Sequence, residues 1–157
     1  MGVSVVFRHN VGQFVTGARI GMSGTGQCLC GAVKFTAEGL DPHVHACHCT
    51  MCRGWNTGPM MGVNVASVSF EGEEAIKRYA SSEWAERGFC QECGTSLFYH
   101  LKEPSMYTMS MGAFDDDSQF AVHGEIYVDE KPDGYNLAGD HPRLTGAEFL
   151  ASIGQPQ

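Results

Sequence analysis

From Gln27 onward the alternation of apolar and polar positions reads as β-structure. Ala32-Val33-Lys34-Phe35-Thr36 has the period of a strand with one buried face. Val44-His45-Ala46 is a short strand running into a cluster of cysteines. Residues 60–70 supply one or two more strands, closed by a turn at Glu71-Gly72-Glu73. Residues 96–101, 106–111 and 121–128 carry the same signature. Residues 75–79 fit a strand or a helical turn, and Asp115-Asp116-Asp117 fits a solvated turn or the start of a short helix. Only residues 145–153 read as helix. There Thr145 is the N-cap and Glu148 stands three residues on, the spacing of a capping box.

The stretch 1–21 differs from the rest. It holds Arg8 and Arg19 but no acidic residue and no cysteine, and Met22 is followed by the polar run Ser23-Gly24-Thr25-Gly26. It reads as an extension ahead of a single domain spanning 22–157, or else residues 3–7 add an edge strand.

Composition narrows the class. A chain of 157 residues with 43% hydrophobic and only 18% charged residues, and 20 glycines, is a single turn-rich domain with enough length for a core. The net charge of −8 argues against sequence-independent nucleic-acid binding, which needs clustered Lys and Arg. An anionic substrate then needs a local basic patch. No apolar run is long enough to span a bilayer, so no membrane partner is expected. No charged start followed by an apolar core marks a signal peptide. Seven cysteines are an odd number for disulfide pairing, and their spacing fits metal, whose thiolate sites belong to the reducing cytosol. A cytoplasmic protein is expected.

The cysteines form three clusters: Cys28-x-Cys30, Cys47-x-Cys49-x-x-Cys52 and Cys90-x-x-Cys93. In the last, two intervening residues let a tight turn aim both sulfurs at one ion, and Gly94 can take the positive φ of such a knuckle. Cys28 and Cys30, at i and i+2, would share a face of a strand. Together the two pairs make a four-thiolate tetrahedron with Zn–S bonds of ~2.3 Å, the usual structural zinc site. Such an ion would close a long loop in a small β domain.

The middle cluster offers three thiols within six residues. Three protein ligands and an open fourth position are the mark of a reactive zinc. His48 falls between Cys47 and Cys49 and on a strand would point away, as a supporting rather than a ligating residue. The competing reading is a second structural zinc completed by a distant histidine such as His45 or His100. Zinc with three thiolates carries a net charge of about −1, and its Lewis acidity is weak. It suits soft ligands: capturing a fourth thiolate, or holding a thiol as nucleophile.

With these clusters in view, the sequence resembles the glutathione-dependent formaldehyde-activating family, which also includes centromere protein V. The resemblance rests on Gly26-Gln27-Cys28-Leu29-Cys30-Gly31-Ala32-Val33, on Cys47-His48-Cys49-Thr50-Met51-Cys52-Arg53 and on Phe89-Cys90-Gln91-Glu92-Cys93-Gly94-Thr95. Tyr79-Ala80-Ser81-Ser82, Arg87-Gly88-Phe89, Lys131-Pro132-Asp133 and His141-Pro142-Arg143-Leu144 add to it. It covers roughly residues 22–153.

The resemblance implies a mainly β fold, the β-tent, in which several short coiled antiparallel sheets are knitted by zinc, with a short C-terminal helix. It implies two Zn2+ per chain: a structural ion at Cys28, Cys30, Cys90 and Cys93, and a more labile one at Cys47, Cys49 and Cys52. The activity it implies is synthesis of S-(hydroxymethyl)glutathione, a carbon–sulfur lyase reaction read in reverse, with a small thiol such as glutathione as substrate. Two departures from the family pattern bear on the substrate: Gly54-Trp55-Asn56-Thr57-Gly58 after the middle cluster, and Gly134 where the family often has an aromatic residue.

Cys47, Cys49 and Cys52 are therefore the expected catalytic group. Arg53 is the candidate anion contact, with Arg87 also flanking a cysteine cluster, and Trp55 is a candidate pocket wall or a core aromatic. The methionines 60, 61, 106, 109 and 111 read as core filling. The competing functional class is a non-catalytic zinc-binding or interaction module. A methionine sulfoxide reductase-like enzyme would need a redox cysteine free of metal, whereas all seven fit zinc positions.

Overall fold

The computed structural model describes residues 21–154, so the expectations for residues 1–20, including an edge strand at 3–7, lie outside the described residues. Two sheets make up the β-tent. The smaller is antiparallel and joins β1 (Ser23–Gln27), β2 (Lys34–Glu38) and β5 (Ser67–Glu71) in the order β1-β2-β5. The larger is built from β3 (His43–Cys47), β4 (Met60–Val65), β6 (Ile76–Ala80), β7 (Ala85–Cys90), β8 (Ser96–Leu101), β9 (Met106–Ser110), β10 (Ala121–Ile126) and β11 (Arg143–Leu144). Its order is β11-β10-β3-β4-β9-β8-β7-β6.

Most neighbours run antiparallel, as expected. The exception is β10, which lies parallel to both β3 and β11. That pairing lays the C-terminal part of the chain against the strand that ends in Cys47.

Period-2 burial builds the core. On β2, Phe35 and Ala37 point inward while Lys34, Thr36 and Glu38 face solvent. Val33, Leu40, Val44, Val63, Leu97, Phe98 and Met109 complete the buried cluster with Phe114. Rings interlock edge to face, Phe35 on Phe114 at 5.1 Å and Phe98 on Tyr107 at 5.2 Å. Burying a side chain the size of Phe98 contributes about 2–3 kcal/mol.

Strand β1 has almost no apolar signature because it is built around glycine. A Cβ at Gly26 would stand 2.2 Å from the Ala113 carbonyl oxygen and 2.3 Å from Phe35 Cζ. Glycine is what lets β1 press onto the Phe35 ring.

Two helices flank the sheets: α1 (Thr50–Asn56) and α2 (Gly146–Ser152). In α2 the expected capping box is formed, with Thr145 and Glu148 bonding each other's backbone N–H. No apolar period or capping box in the sequence marks helix α1. It is short, and Glu130 of the C-terminal segment caps its start by accepting from the Thr50 N–H at 2.6 Å and from the Thr50 hydroxyl. Among the described residues no helix is long and apolar enough to cross a membrane.

Candidate metal centres

Cys28 and Cys30 do not share a strand face. They lie in the turn just past β1, where the Cys28 N–H donates to the Val33 carbonyl at 2.9 Å and the Gly31 N–H to the Cys28 carbonyl at 3.0 Å. Gly31 takes φ +75°. The other pair repeats this design: the Gly94 N–H donates to the Cys90 carbonyl at 2.8 Å, and Gly94 takes φ +78°. Each pair is thus a knuckle whose following glycine occupies the left-handed region that a side chain disfavours.

The two knuckles face each other. Cys28 Sγ lies 3.5 Å from Cys30 Sγ, and Cys30 Sγ 3.8 Å from Cys90 Sγ. All four sulfurs, Cys93 included, fall within 4.8 Å of one another. A tetrahedral ion with ~2.3 Å bonds separates its sulfurs by about 3.8 Å, whereas a disulfide needs ~2.05 Å. All seven cysteines are free thiols. The donor set therefore fits a thiolate-bound ion. Thr95 supports it: its hydroxyl and backbone N–H bond the Cys93 sulfur and lower that thiol to about 5, towards the thiolate a metal requires.

The second centre is built at a strand-to-helix junction. Cys47 is the last residue of β3, Cys49 is the N-cap of α1, and Cys52 lies buried in its first turn. Cys49 Sγ accepts the Cys52 N–H at 3.4 Å, so the sulfur itself caps the helix. The expected shared strand face for Cys47 and Cys49 is replaced by this junction, and the three sulfurs still converge within 4.8 Å. Among the described residues no fourth His, Cys, Asp or Glu donor joins them. The thiols of Cys47 and Cys52 hydrogen-bond to Cys49 and, with the Cys52 N–H and the charge of Arg87, pull it well below an ordinary thiol. Cys47 is pushed up, by its bonds to Cys49 and Cys52 and by burial.

His48 points away from the sulfurs, as expected, and is wholly buried. Its Nε2 lies 2.7 Å from Glu125 Oε2 and its Nδ1 2.8 Å from the Tyr135 hydroxyl. Because a carboxylate only accepts, Nε2 is the donor in the bond to Glu125. Glu125 also receives His141 Nε2 and Arg143 Nε, each at 2.8 Å. His100, a candidate fourth ligand by sequence, is instead held by Glu86 and Ser105.

Arg53 uses its Nε to hold the His48 carbonyl at 2.9 Å. Trp55 donates its Nε1–H to Ser96 Oγ at 3.0 Å, stacks on Tyr79 at 5.8 Å and meets the Phe89 ring edge-on. Arg87 is brought to the three-cysteine centre rather than to the nearby Cys90-x-x-Cys93 knuckle: its Nη2 donates to Cys52 Sγ at 3.5 Å. Glu125 and Tyr135 stand outside every motif of the sequence. Nothing local marks them, and only the match at residues 141–144 hinted that the tail contributes.

A family model described as glutathione-dependent formaldehyde-activating enzyme matches residues 23–130, a span that holds both cysteine centres. The chain belongs to that family. A relative from Schizosaccharomyces pombe is 32% identical over 130 residues, covering 82% of this chain and 95% of its own length. That protein is described as an uncharacterized lyase. A crystal structure of a Rhodobacter sphaeroides protein shares the fold at a TM-score of 0.51 and 20% identity, over 76% of this chain and 98% of that one.

Proposed function

We propose that this formaldehyde-activating family member is a zinc-dependent carbon–sulfur lyase-type enzyme whose substrate is glutathione or a related small thiol, with S-(hydroxymethyl)glutathione as the adduct. Cys28, Cys30, Cys90 and Cys93 would hold a structural Zn2+, and Cys47, Cys49 and Cys52 a second, exchangeable one. The observation that carries the reading is the convergence of three sulfurs without a fourth donor among the described residues. A zinc ion held by three thiolates exchanges soft ligands readily and activates water poorly, so it would supply a seat for a substrate sulfur.

The chain's own residues then have separate tasks. The hydrogen bonds of His48 keep the Cys47-x-Cys49 backbone in place. Arg53, with its Nε engaged, would present its Nη groups to a carboxylate of the peptide thiol. Trp55, braced by Ser96, Tyr79 and Phe89, would form an apolar wall beside the sulfurs. In the adduct-forming direction the thiol sulfur bonds to the carbonyl carbon of formaldehyde. The carbonyl π pair moves to oxygen, and the proton lost by the thiol ends there.

NMR exchange spectroscopy of formaldehyde and glutathione, with and without the zinc-loaded protein, tests this. Exchange between glutathione and its hydroxymethyl adduct should accelerate with protein and return to the uncatalysed rate with Cys49→Ala. Equal exchange with and without wild-type protein would leave a zinc-binding module as the function.

A further inference from the structure

Arg87 is a buried cation with no carboxylate beside it. Only 3% of its surface is exposed, on β7, between Tyr79 of β6 and Tyr99 of β8. Its guanidinium carbon sits 5.2 Å from the Tyr99 ring centroid. Nη2 donates to Cys52 Sγ at 3.5 Å and Nη1 to Met60 Sδ at 3.8 Å, and the buried Nε has no partner. The neighbouring acid, Glu86, is engaged by Arg78 and His100 instead. Among the described residues Arg87 makes no ion pair with a carboxylate.

A guanidinium taken out of water and left without an anion is strongly unfavourable. The anions within reach are the sulfurs of the three-cysteine centre. Three thiolates around a divalent cation leave one net negative charge. Arg87 cancels it. Without Arg87, a fourth thiolate would bring the centre to a double negative charge in a partly buried site. With Arg87 the same ligand leaves a single negative charge, shared over four sulfurs and faced by a planar, delocalised cation. A neutral nitrogen or thioether ligand gains nothing comparable.

We propose that Arg87 is a specificity-determining residue: by neutralising the three-cysteine centre, it makes that centre prefer an anionic sulfur over a neutral donor as its fourth ligand. This rests on the thiol reading above and narrows it, because the substrate class becomes thiols that bind as thiolates. Arg87 acts through the cysteine sulfurs and is a positioning and charge-balancing residue, not one that touches the reacting carbon.

The test replaces zinc by cobalt(II) in the full chain and follows the visible absorption of the cobalt–thiolate centre. Wild type, Arg87→Gln and Arg87→Lys are each titrated with 2-mercaptoethanol, thiocyanate and imidazole. Wild type should take mercaptoethanol and thiocyanate in preference to imidazole. Arg87→Gln should lose affinity for both anions by about tenfold or more, the worth of one charge-assisted contact, with imidazole little changed. Arg87→Lys should restore part of the anion affinity, which general structural damage would not do. Equal anion affinity in wild type and Arg87→Gln, with both metals retained, overturns this inference alone. Should Arg87→Gln fail to fold, the wild-type titration still decides, since a preference for imidazole over both anions also overturns it. If wild type takes no thiol at all, the reading of the centre as a thiol site fails first.

Discussion

His48 and Glu125 meet in the protein interior at 2.7 Å, with 0% and 1% of their side chains exposed. They are 77 positions apart in the chain. The bond ties the Cys47-x-Cys49 segment to β10, and through His141 and Arg143 to the C-terminal tail. Burial by itself would push the Glu125 carboxyl up. The hydrogen bonds from His141 and His48 and the charge of Arg143 outweigh it and hold the group below its ordinary value.

Removing that carboxylate should therefore damage both the fold and the second centre. Glu125→Ala leaves His48 and His141 without their acceptor, a loss on the order of 3–5 kcal/mol for a broken buried pair. Urea unfolding measures it. Chelator competition on Glu125→Gln should show the three-cysteine ion released about tenfold more readily, while the four-cysteine ion is unaffected. Unchanged release from both centres would show that the tie does not reach the sulfurs.

The two centres should also separate by mutation. Cys49→Ala should lower bound zinc from about two ions per chain to about one and leave the chain folded, as read by elemental analysis and circular dichroism. Cys90→Ala should cost the fold itself, because the four-cysteine site joins the turn after β1 to the end of β7. Metal chelation should act in the same order, with the three-cysteine ion leaving before secondary structure is lost.

Glu86 sets a pH-dependent contribution. The hydrogen bond from His100, and then that from Arg78, holds its carboxyl below the ordinary value. A depressed carboxyl stabilises the native state above its unfolded pKa of about 4.3, and that contribution fades as pH falls through the lower folded value. The stability difference between wild type and Glu86→Gln should therefore be full at pH 6, shrink below about pH 4.3 and vanish in stronger acid. Denaturant midpoints of both proteins across that range check the sign.

Gly26→Ala should destabilise the chain by roughly 1–3 kcal/mol, because one of the atoms it would strike is a backbone carbonyl oxygen that cannot swing aside. Thermal unfolding of the zinc-loaded protein reads this directly. A neutral substitution would mean that β1 and the Phe35 ring separate more easily than their contact implies.

What the sequence disclosed depended on how local the signal was. Strand β8 falls at its expected bounds, 96–101, and the capping box at Thr145 is present, since both follow from a few consecutive residues. The cysteine clusters converge as anticipated, although Cys28 and Cys30 do so through a knuckle rather than a strand face. Strand β1 escaped notice because glycine, serine and threonine carry no apolar period. Helix α1 was hidden because a cysteine sulfur and a glutamate 80 residues away cap it. The parallel docking of β10, and with it the Glu125 and Tyr135 contacts to His48, depends on tertiary pairing that no window of sequence reports. Arg87 lies three positions before Cys90 yet serves Cys52, a choice made by the face of β7 it occupies.

The four-cysteine site bridges the small sheet and the large one, since Cys28 follows β1 and Cys90 ends β7. An ion gripped there would work as a rivet between two plates. Shearing one plate over the other would load metal–sulfur bonds before it parted the greasy seam beneath. The molecule's toughness would then be tied to oxidants, because a peroxide that strips electrons from those sulfurs would loosen the rivet while the aromatic contacts stayed in place.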